Sequence, residues 1–204
     1  MNISPRVATQ ERLIAGTQRC LARHGVAGTT ARRIAEASGV NLAGIGYHFG
    51  GKDDLIGEAL LHAIDSWLAP AVEHLDSGDD PVASTLRAVG ELQESLARAR
   101  DLLPAYFEAV VQPDRFGRLR DGVRHRLDDL TTELASRVAG QVDAGELPAW
   151  IDPEPMAELL LAAIDGIALH SVMNPGATDP PALATQLVGL LVAARHADPE
   201  EEAP

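Results

Sequence analysis

Apolar residues recur every three or four positions along most of the chain, a spacing that places them on one face of an α-helix. No segment of six or more residues shows the strict apolar and polar alternation of a half-buried β-strand. The pattern therefore predicts an all-α protein. The first helix is predicted over residues 8–24, with Leu13, Ile14, Thr17 and Leu21 on its inward face and Gly25 placed to end it.

Two short helices joined by a tight turn are predicted next. Thr29 and Thr30 can cap the second helix, Gly39 can end it, and Asn41 can cap a third helix that runs to about Phe49. This arrangement is typical of a helix-turn-helix, in which the second helix enters the major groove of DNA while the first crosses the backbone. The inward positions of the pair share helical spacing: Ala31, Ile34, Ala35, Ser38, Ile45 and Phe49.

The rest of the chain predicts a helical bundle. A longer helix runs from Lys52 through Trp67, and Pro70 is expected to bend or end it. Leucine and valine spacing then predicts a helix near 86–96, a short element over 102–111 and a long helix over 119–138.

The last two predicted helices indicate a dimer. Within residues 159–169 only Asp165 is clearly polar, as expected of a helix that is buried on two sides. Residues 183–194 form a strongly amphipathic partner helix. Because a domain this small cannot cover such a helix alone, we expect a homodimer that associates through these last two helices. Residues 198–204 are acidic, and we expect a disordered tail.

The net charge of −13 is distributed unevenly. Residues 1–52 carry seven basic and two acidic side chains, a net charge of +5, whereas the remainder carries −18. A basic end on an acidic body suits a protein that meets phosphates with one end and repels them elsewhere. We therefore predict a DNA-binding domain over residues 1–52 and a helical ligand-binding and dimerisation domain over residues 53–197.

The outward face of the third helix consists of small residues followed by two ring side chains. Ala43 and Gly44 permit a close approach to base edges, and Tyr47 and His48 can donate hydrogen bonds to phosphates or bases. A simpler interpretation is that the two rings only cover the core. Similarly, Lys52 and the neighbouring pair Arg32 and Arg33 can be phosphate contacts or merely solvated surface charges.

Two segments carry a family resemblance. Residues 29–41 read Thr-Thr-Ala-Arg-Arg-Ile-Ala-Glu-Ala-Ser-Gly-Val-Asn, and residues 45–55 read Ile-Gly-Tyr-His-Phe-Gly-Gly-Lys-Asp-Asp-Leu. With their spacing, over about residues 10–60, they resemble the tetracycline-repressor (TetR) family of bacterial regulators. The resemblance implies an all-helical homodimer, a variable C-terminal pocket for a small-molecule effector, and release from a palindromic operator when the effector binds.

The same resemblance implies that Thr30 and Lys52 contact phosphates, that Tyr47 and His48 contact the backbone or bases, and that the small residues opening the third helix lie near bases. Many members have tyrosine where Gly46 stands, and here the aromatic residue follows one position later, which leaves the contact of Tyr47 open. The candidate DNA-binding set comprises Thr29, Thr30, Arg32, Arg33, Asn41, Leu42, Ala43, Gly44, Tyr47, His48 and Lys52.

Five residues of the body are candidates for the effector pocket: Trp67, Tyr106, Phe107, Glu108 and Asp165. Asp165 stands alone in an apolar helix, where it can recognise a cationic ligand or bond to backbone or a partner subunit. The aromatic residues have a plain alternative, since aromatic side chains at helical spacing also fill ordinary cores.

Other classes of protein find little support. The chain has no HExxH motif, nucleophile elbow, Walker lysine or paired metal-ligand histidines, so we expect no enzyme, no cofactor and no metal site. Cys20 is the only cysteine and is expected to be a packed thiol. No apolar run is long enough to span a membrane and no export signal is visible, which favours the cytoplasm. The remaining alternative is a dimeric ligand-binding or scaffold protein that no longer reads DNA.

Overall fold

A computed structural model describes residues 4–75, 81–112 and 114–174, together with scattered positions from 176 to 193. This part of the chain contains α-helices and no β-strand, which confirms the predicted all-α fold. Its helices are α1 (Pro5–Gly28), α2 (Ala31–Ser38), α3 (Leu42–Phe49), α4 (Lys52–Leu75), α5 (Pro81–Ala99), α6 (Leu103–Val110), α7 (Gly117–Asp143) and α8 (Pro153–Met173).

The two short helices begin and end at the predicted residues. The Thr30 hydroxyl accepts a hydrogen bond from the Arg33 amide at 3.3 Å and so caps α2. The Asn41 side chain accepts from the Gly44 amide at 2.9 Å and caps α3. Gly39 ends α2 in the left-handed conformation with φ +64°, which a residue with a Cβ adopts only at a cost.

A small core holds α1, α2, α3 and the start of α4 together. Its predicted members are Leu13, Ile34, Ile45 and Phe49, together with the packed thiol of Cys20, and the structure adds Leu55. Cys20 is 4% exposed, which confirms a packed thiol, and burial raises the pKa of that thiol. This core fixes the angle between α2 and α3, so the outward face of α3 is presented by a rigid support.

Several helices extend beyond their predicted bounds, α1 and α4 among them. Gly25 takes a positive φ of +64° as expected, but one further helical turn follows it and α1 reaches Gly28. Of the two outcomes expected at Pro70, a bend or an end, the end is wrong, because α4 continues to Leu75. A proline removes one backbone hydrogen bond, and the packing of α4 against α1 and α5, with Ala71 buried beyond the proline, outweighs that loss.

A second core joins the end of α1 to α4, α6 and the start of α7. The buried side chains at its centre include Leu21, Val26, Leu60, Ala109 and Leu119. Gly57 faces Leu119 in this core, since a Cβ placed there would lie 3.5 Å from the Leu119 Cβ, an ordinary van der Waals distance. The first turn of α7 therefore lies against the first turns of α4.

The chain divides into two compact units, residues 1–124 and residues 125–204. The helix-turn-helix shares the first unit with α4, α5 and α6, and the second contains most of α7 and all of α8. The predicted functional boundary between residues 52 and 53 stays a prediction.

The apolar helix predicted over residues 159–169 is the middle of α8. In the single chain it is partly uncovered, with Leu159 58%, Leu169 38% and Met173 71% exposed. Of the helix predicted over residues 183–194, the described positions 183, 185, 186, 189, 190 and 193 are helical, and the others lie outside the described residues, as does the tail at 198–204.

One described helix has the length and apolar composition of a membrane span. It is α4 over Lys52–His74, and half of the relevant window is buried inside the fold. The core helix of a soluble protein has the same properties, so α4 is weak support for a membrane segment.

Candidate nucleic-acid interface

Two arginines of α1 hold the end of α2 and the turn after it. Arg12 donates through Nε and Nη2 to the Ser38 carbonyl at 3.2 and 3.0 Å, and through Nη2 to the Gly39 carbonyl at 2.7 Å. Arg19 donates through Nη2 to the Ala37 carbonyl at 2.6 Å. Carbonyls at a helix C-terminus lack partners within the helix and attract cations. Sequence reasoning counted both arginines only as charge, although their spacing of seven residues already placed them on one face of α1.

The α1–α2 contact is tight at the same place. A Cβ added to Gly16 would lie 2.8 Å from the Ser38 Cβ, so this crossing requires glycine. The Ser38 hydroxyl donates to the Ala35 carbonyl at 3.3 Å and accepts from the Val40 amide at 3.3 Å. The turn before α3 is thus fixed by backbone and side-chain bonds together.

The exposed face of α3 is the candidate reading surface. Ile45 is 3% exposed and Phe49 8%, whereas Leu42 is 56% and Tyr47 75% exposed. The exposure of Tyr47 contradicts the interpretation that this ring only covers the core. Apart from the adjacent residues and the backbone of α3 itself, no described atom lies within 4 Å of the position that a Gly46 Cβ would take, so the same face is open there.

His48 and Gly44 are less open than their neighbours. The His48 ring is half-buried, stacks edge-on against Tyr47 at 4.9 Å between ring centroids, and has a buried Nδ1 without a hydrogen-bond partner in the described structure. A Cβ on Gly44 would lie 2.8 Å from Val40 Cγ1, so glycine is required there by packing against the turn. Ala43 is exposed, as predicted.

The two threonines before α2 have different positions. Thr30 is exposed and its hydroxyl is the α2 cap. Thr29 is 0% exposed, and its hydroxyl donates to the Gly25 carbonyl at 2.7 Å. The expectation that Thr29 contacts DNA is therefore corrected: its side chain is inside the core, where it ties α2 to the end of α1.

Arg32 and Arg33 both lie on the exposed side of α2, as predicted. Arg33 Nη1 donates to the Gly28 carbonyl at 2.6 Å, which directs the guanidinium toward the end of α1. Arg32 makes no hydrogen bond or ion pair within the described ranges of the chain. Of the two, Arg32 has the guanidinium that is available to an external anion.

Lys52 lies at the start of α4, in an ion pair. Its Nζ is 2.9 Å from Asp53 Oδ1, and its side chain is 28% exposed. Asp53 also accepts two hydrogen bonds from Arg115, through Nε at 3.1 Å and Nη2 at 3.0 Å. These bonds, more than the ion pair with Lys52, lower the pKa of the Asp53 carboxyl.

The candidate effector residues fall into separate groups. Trp67 and Tyr106 meet edge-to-face at 6.1 Å between ring centroids, and Phe107 lies 5.3 Å from Tyr106. Trp67 also lines a cleft of about 510 Å³ between α1, α4 and α5. Glu108 is exposed on α6, with its carboxylate directed toward Gly25: a Cβ there would lie 3.8 Å from Glu108 Oε2.

Asp165 lies on α8 in the second unit and keeps an exposed surface. The surrounding protein atoms remove enough water from its carboxyl to raise the pKa. A cationic partner would stabilise the ionised form of such a carboxyl, which agrees with the interpretation from sequence. The partner can equally be a cationic ligand or a group of the other subunit.

Family models match both parts of the chain. Residues 13–59 match the model for bacterial regulatory proteins of the tetR family, and residues 81–197 match that for the C-terminal domain of BetI-type transcriptional repressors. The chain belongs to the tetR family. The first match contains the helix-turn-helix with its caps, its turn and Lys52, which are the features described above.

Relatives agree with this assignment. The HTH-type transcriptional regulator TtgR of Pseudomonas putida is 27% identical over 176 residues, covering 84% of this chain and 83% of TtgR. The HTH-type transcriptional repressor AcnR of Corynebacterium efficiens is 41% identical over 49 residues, covering 24% of this chain and 26% of AcnR. The similarity to AcnR is thus higher but restricted to a short segment.

Solved structures share the fold. A transcriptional regulator from Pseudomonas aeruginosa PAO1 superposes with a TM-score of 0.72 at 27% identity, covering 90% of this chain and 88% of the other. A TetR transcription regulator from Haloarcula marismortui superposes with a TM-score of 0.75 at 24% identity, covering 91% and 97%.

This tetR-family protein is a DNA-binding transcriptional regulator, and repression that responds to a small ligand is typical of its family. Regulators of the family are soluble proteins that bind operator DNA, act as dimers and respond to small-molecule effectors. Membership argues against the enzyme interpretation.

Proposed function

We propose that this tetR-family protein is a cytoplasmic, homodimeric repressor that binds a palindromic operator through α3 and leaves it when a small molecule binds. The observation that carries the proposal is the exposed face of α3, where Tyr47 is 75% exposed above a buried Ile45 and Phe49. The exposed ring offers an apolar face and a hydroxyl that can donate a hydrogen bond, a combination common at binding surfaces.

Base contacts are assigned to the start and middle of α3. Leu42 and Ala43 are exposed on its first turn, and the open space beside Gly46 lets DNA approach the helix closely. Tyr47 can donate its hydroxyl to a phosphate or a base edge. Gly44 contributes by allowing α3 to pack on Val40, which sets the position of the reading surface.

Phosphate contacts are assigned to groups on either side of α3. The exposed N-terminus of α2, with Thr30 and the uncommitted guanidinium of Arg32, attracts an anion. Lys52 lies at the start of α4, beyond the other end of α3. Two such flanking contacts would fix the register of the helix in the groove.

The dimer interface is assigned to α8 and the helical positions after it. Leu159, Leu169 and Met173 on α8 are exposed in the single chain, as are Leu183 and Leu190. A monomeric protein seldom leaves so many large apolar side chains uncovered on neighbouring segments, and a two-fold partner buries each of them against its equivalent surface. Two copies of α3 would then lie about one DNA turn apart, roughly 34 Å.

The effector-binding site is placed at the aromatic residues of α4 and α6. Trp67 and Tyr106 are half-buried and pack on the second core. Trp67 also lines a cleft of about 510 Å³, which is large enough for a drug-sized molecule. Glu108, exposed on α6, would supply charge selectivity at this site, and Asp165 is a separate candidate for a cationic ligand in the second unit. Trp67 is the member of this group that a ligand in the cleft must touch.

DNA recognition can be tested by selecting duplexes from a random pool with the full-length protein and measuring affinity for the selected sequence. We expect a two-fold-symmetric site. Tyr47→Ala should weaken binding about tenfold or more, since one good contact contributes about 1–3 kcal/mol. Trp150→Ala is the matched control, because Trp150 is also an exposed aromatic residue, at 61%, but lies outside the helix-turn-helix. Selection of no sequence at all would favour the alternative of a scaffold protein that has lost DNA recognition.

Effector binding can be followed by fluorescence. The chain has two tryptophans, so Trp150→Phe leaves Trp67 as the sole reporter. A panel of aromatic cations, anions and neutral compounds should contain members that change Trp67 emission and, at the same concentrations, release the selected duplex. Compounds that release DNA without changing Trp67 emission would show that the effector site is elsewhere.

A further inference from the structure

A group of charged side chains surrounds the start of α4, outside the reading surface of α3. Asp53 lies between Lys52 at 2.9 Å and Arg115 at 3.0 Å, and Arg118 Nε lies 3.1 Å from Asp54 Oδ1. Both arginines come from the segment that leads into α7 and from its first turn. The contact between Asp53 and Arg115 spans 62 residues of sequence.

The Arg115 guanidinium is in a defined position. It binds Asp53 with two parallel hydrogen bonds, the geometry that makes an arginine–carboxylate pair strong and directional. Its Cζ lies 4.8 Å from the centre of the Phe116 ring, and Phe116 is 2% exposed in the second core. The Arg115 and Phe116 amides both donate to the Gln112 carbonyl at 3.1 Å, so backbone and core fix the segment together.

The Asp53–Arg115 pair changes the net charge around Lys52. Lys52 and Asp53 alone would form a neutral pair, and a neutral pair attracts no phosphate. With Arg115 bound to the same carboxylate, the three side chains carry one net positive charge. Arg115 also binds both Oδ1 and Oδ2 of Asp53, so Lys52 shares Oδ1 with Arg115. Lys52 can therefore exchange this carboxylate for an external anion.

We propose that Arg115 is a positioning residue for operator binding: it neutralises Asp53 and thereby frees Lys52 for a DNA phosphate. This inference rests on the phosphate contact of Lys52 proposed above. It assigns a role in DNA binding to a side chain outside the helix-turn-helix, on the segment between α6 and α7.

A purely structural role is the alternative. The pairs Asp53–Arg115 and Asp54–Arg118 also fasten the start of α7 to α4, next to the contact of Gly57 with Leu119. If fastening is their only effect, removing either partner of a pair should be equally harmful and removing both should not restore anything. If charge is decisive, neutralising Asp53 should compensate for the loss of Arg115.

The test measures affinity for the duplex selected by the wild-type protein, as a function of salt concentration, for five variants. Arg115→Ala should weaken binding about tenfold near 0.1 M salt and reduce the salt slope by about one unit per subunit, since each lysine–phosphate contact releases about one counterion. Arg115→Ala with Asp53→Asn should return affinity and slope to within about twofold of wild type, because that pair of changes conserves net charge. Asp53→Asn alone should bind at least as tightly as wild type.

Arg120→Ala is the matched control. Arg120 lies on the first turns of α7 and pairs with Asp121, so its removal takes the same charge from the same region without touching Asp53. We expect less than a twofold change in affinity. An equal loss for Arg120→Ala and Arg115→Ala would overturn the inference, because overall charge would then explain both.

Three further results would also overturn it: wild-type affinity for Arg115→Ala, a failure of Asp53→Asn to rescue that variant, or weaker binding by Asp53→Asn alone. The last measurement stays decisive even if Arg115→Ala folds poorly. Lys52→Ala distinguishes a failure of the proposed Lys52–phosphate contact from a failure of the proposed role of Arg115. If Lys52→Ala binds like the wild type, the proposed phosphate contact of Lys52 is refuted. If Lys52→Ala binds weakly but Arg115→Ala binds normally, only the proposed role of Arg115 is refuted.

Discussion

Gly44 and Gly46 lie two residues apart in α3 and should respond in opposite ways to the same substitution. Replacing glycine with alanine inside a helix adds helix propensity of about 1 kcal/mol. At Gly46 nothing beyond the adjacent residues and the backbone of α3 lies within 4 Å of the new methyl group, so Gly46→Ala should raise the free energy of unfolding by about that amount.

At Gly44 the new methyl group would lie 2.8 Å from Val40 Cγ1, closer than two carbon atoms can approach. Either Val40 leaves the junction between α2 and α3 or α3 tilts, and overpacking of this kind costs about 1–3 kcal/mol. The gain in propensity is then cancelled or exceeded. Gly44→Ala should therefore be less stable than Gly46→Ala by about 1–3 kcal/mol.

Thermal unfolding followed by circular dichroism can measure the difference, since 1 kcal/mol shifts the melting temperature by about 2–4 °C in a chain of this size. Each variant is the control for the other, because both carry the same change in the same helix. Equal stabilisation by the two alanines would refute the argument that Gly44 is required by its contact with Val40. A second comparison concerns DNA: Gly44→Ala should also weaken operator binding, since it displaces the reading surface.

Other predictions concern bonds and charges elsewhere in the chain. Arg12→Ala should lower the free energy of unfolding by about 1–3 kcal/mol, because it removes charge-assisted bonds to the carbonyls that end α2, whereas Arg32→Ala, which removes an exposed arginine without such bonds, should change it by less than about 0.5 kcal/mol. The lowered pKa of Asp53 means that its stabilising effect is present above the ordinary aspartate pKa of about 3.9 and is lost as pH falls through the folded-state value, so Asp53→Asn should flatten acid unfolding below pH ~4. The raised pKa of Asp165 has the opposite effect on stability, which is lost as pH rises and the carboxyl ionises. Asp165→Asn should therefore be more stable than wild type at neutral pH. A less stable variant would show that the carboxylate has a structural partner. Leu159→Glu should shift the protein from dimer to monomer in sedimentation measurements without lowering its helix content, and an unchanged dimer would place the interface elsewhere.

The features of the fold that depend on neighbouring residues were predictable from the sequence. Thr30, Gly39 and Asn41 begin or end their helices through bonds to residues at most four positions away, so their roles follow from residue type and spacing. The alternation of buried and exposed positions in α3 follows from helical periodicity in the same way.

The features that depend on distant contacts were not predictable. Thr29 and Thr30 are the same residue type side by side, and only the packing of α2 on α1 determines that Thr29 is buried. Pro70 is an unfavourable residue inside a helix, and only the packing of α4 on its neighbours lets the helix continue. The partners Asp53 and Arg115 are 62 residues apart, a separation at which charge spacing carries no information.

Part of the positive charge in the first 52 residues has a structural role. Arg12, Arg19 and Arg33 each donate hydrogen bonds to backbone carbonyls, so three of the seven basic side chains are engaged in holding the helix-turn-helix together. They still carry charge and so still attract DNA over a distance of about 10 Å, the Debye length at 0.1 M salt. Close phosphate contacts, however, depend on the few groups that remain available. For this reason the state of Lys52, and of the carboxylate beside it, should matter more to operator affinity than the net charge of the region indicates.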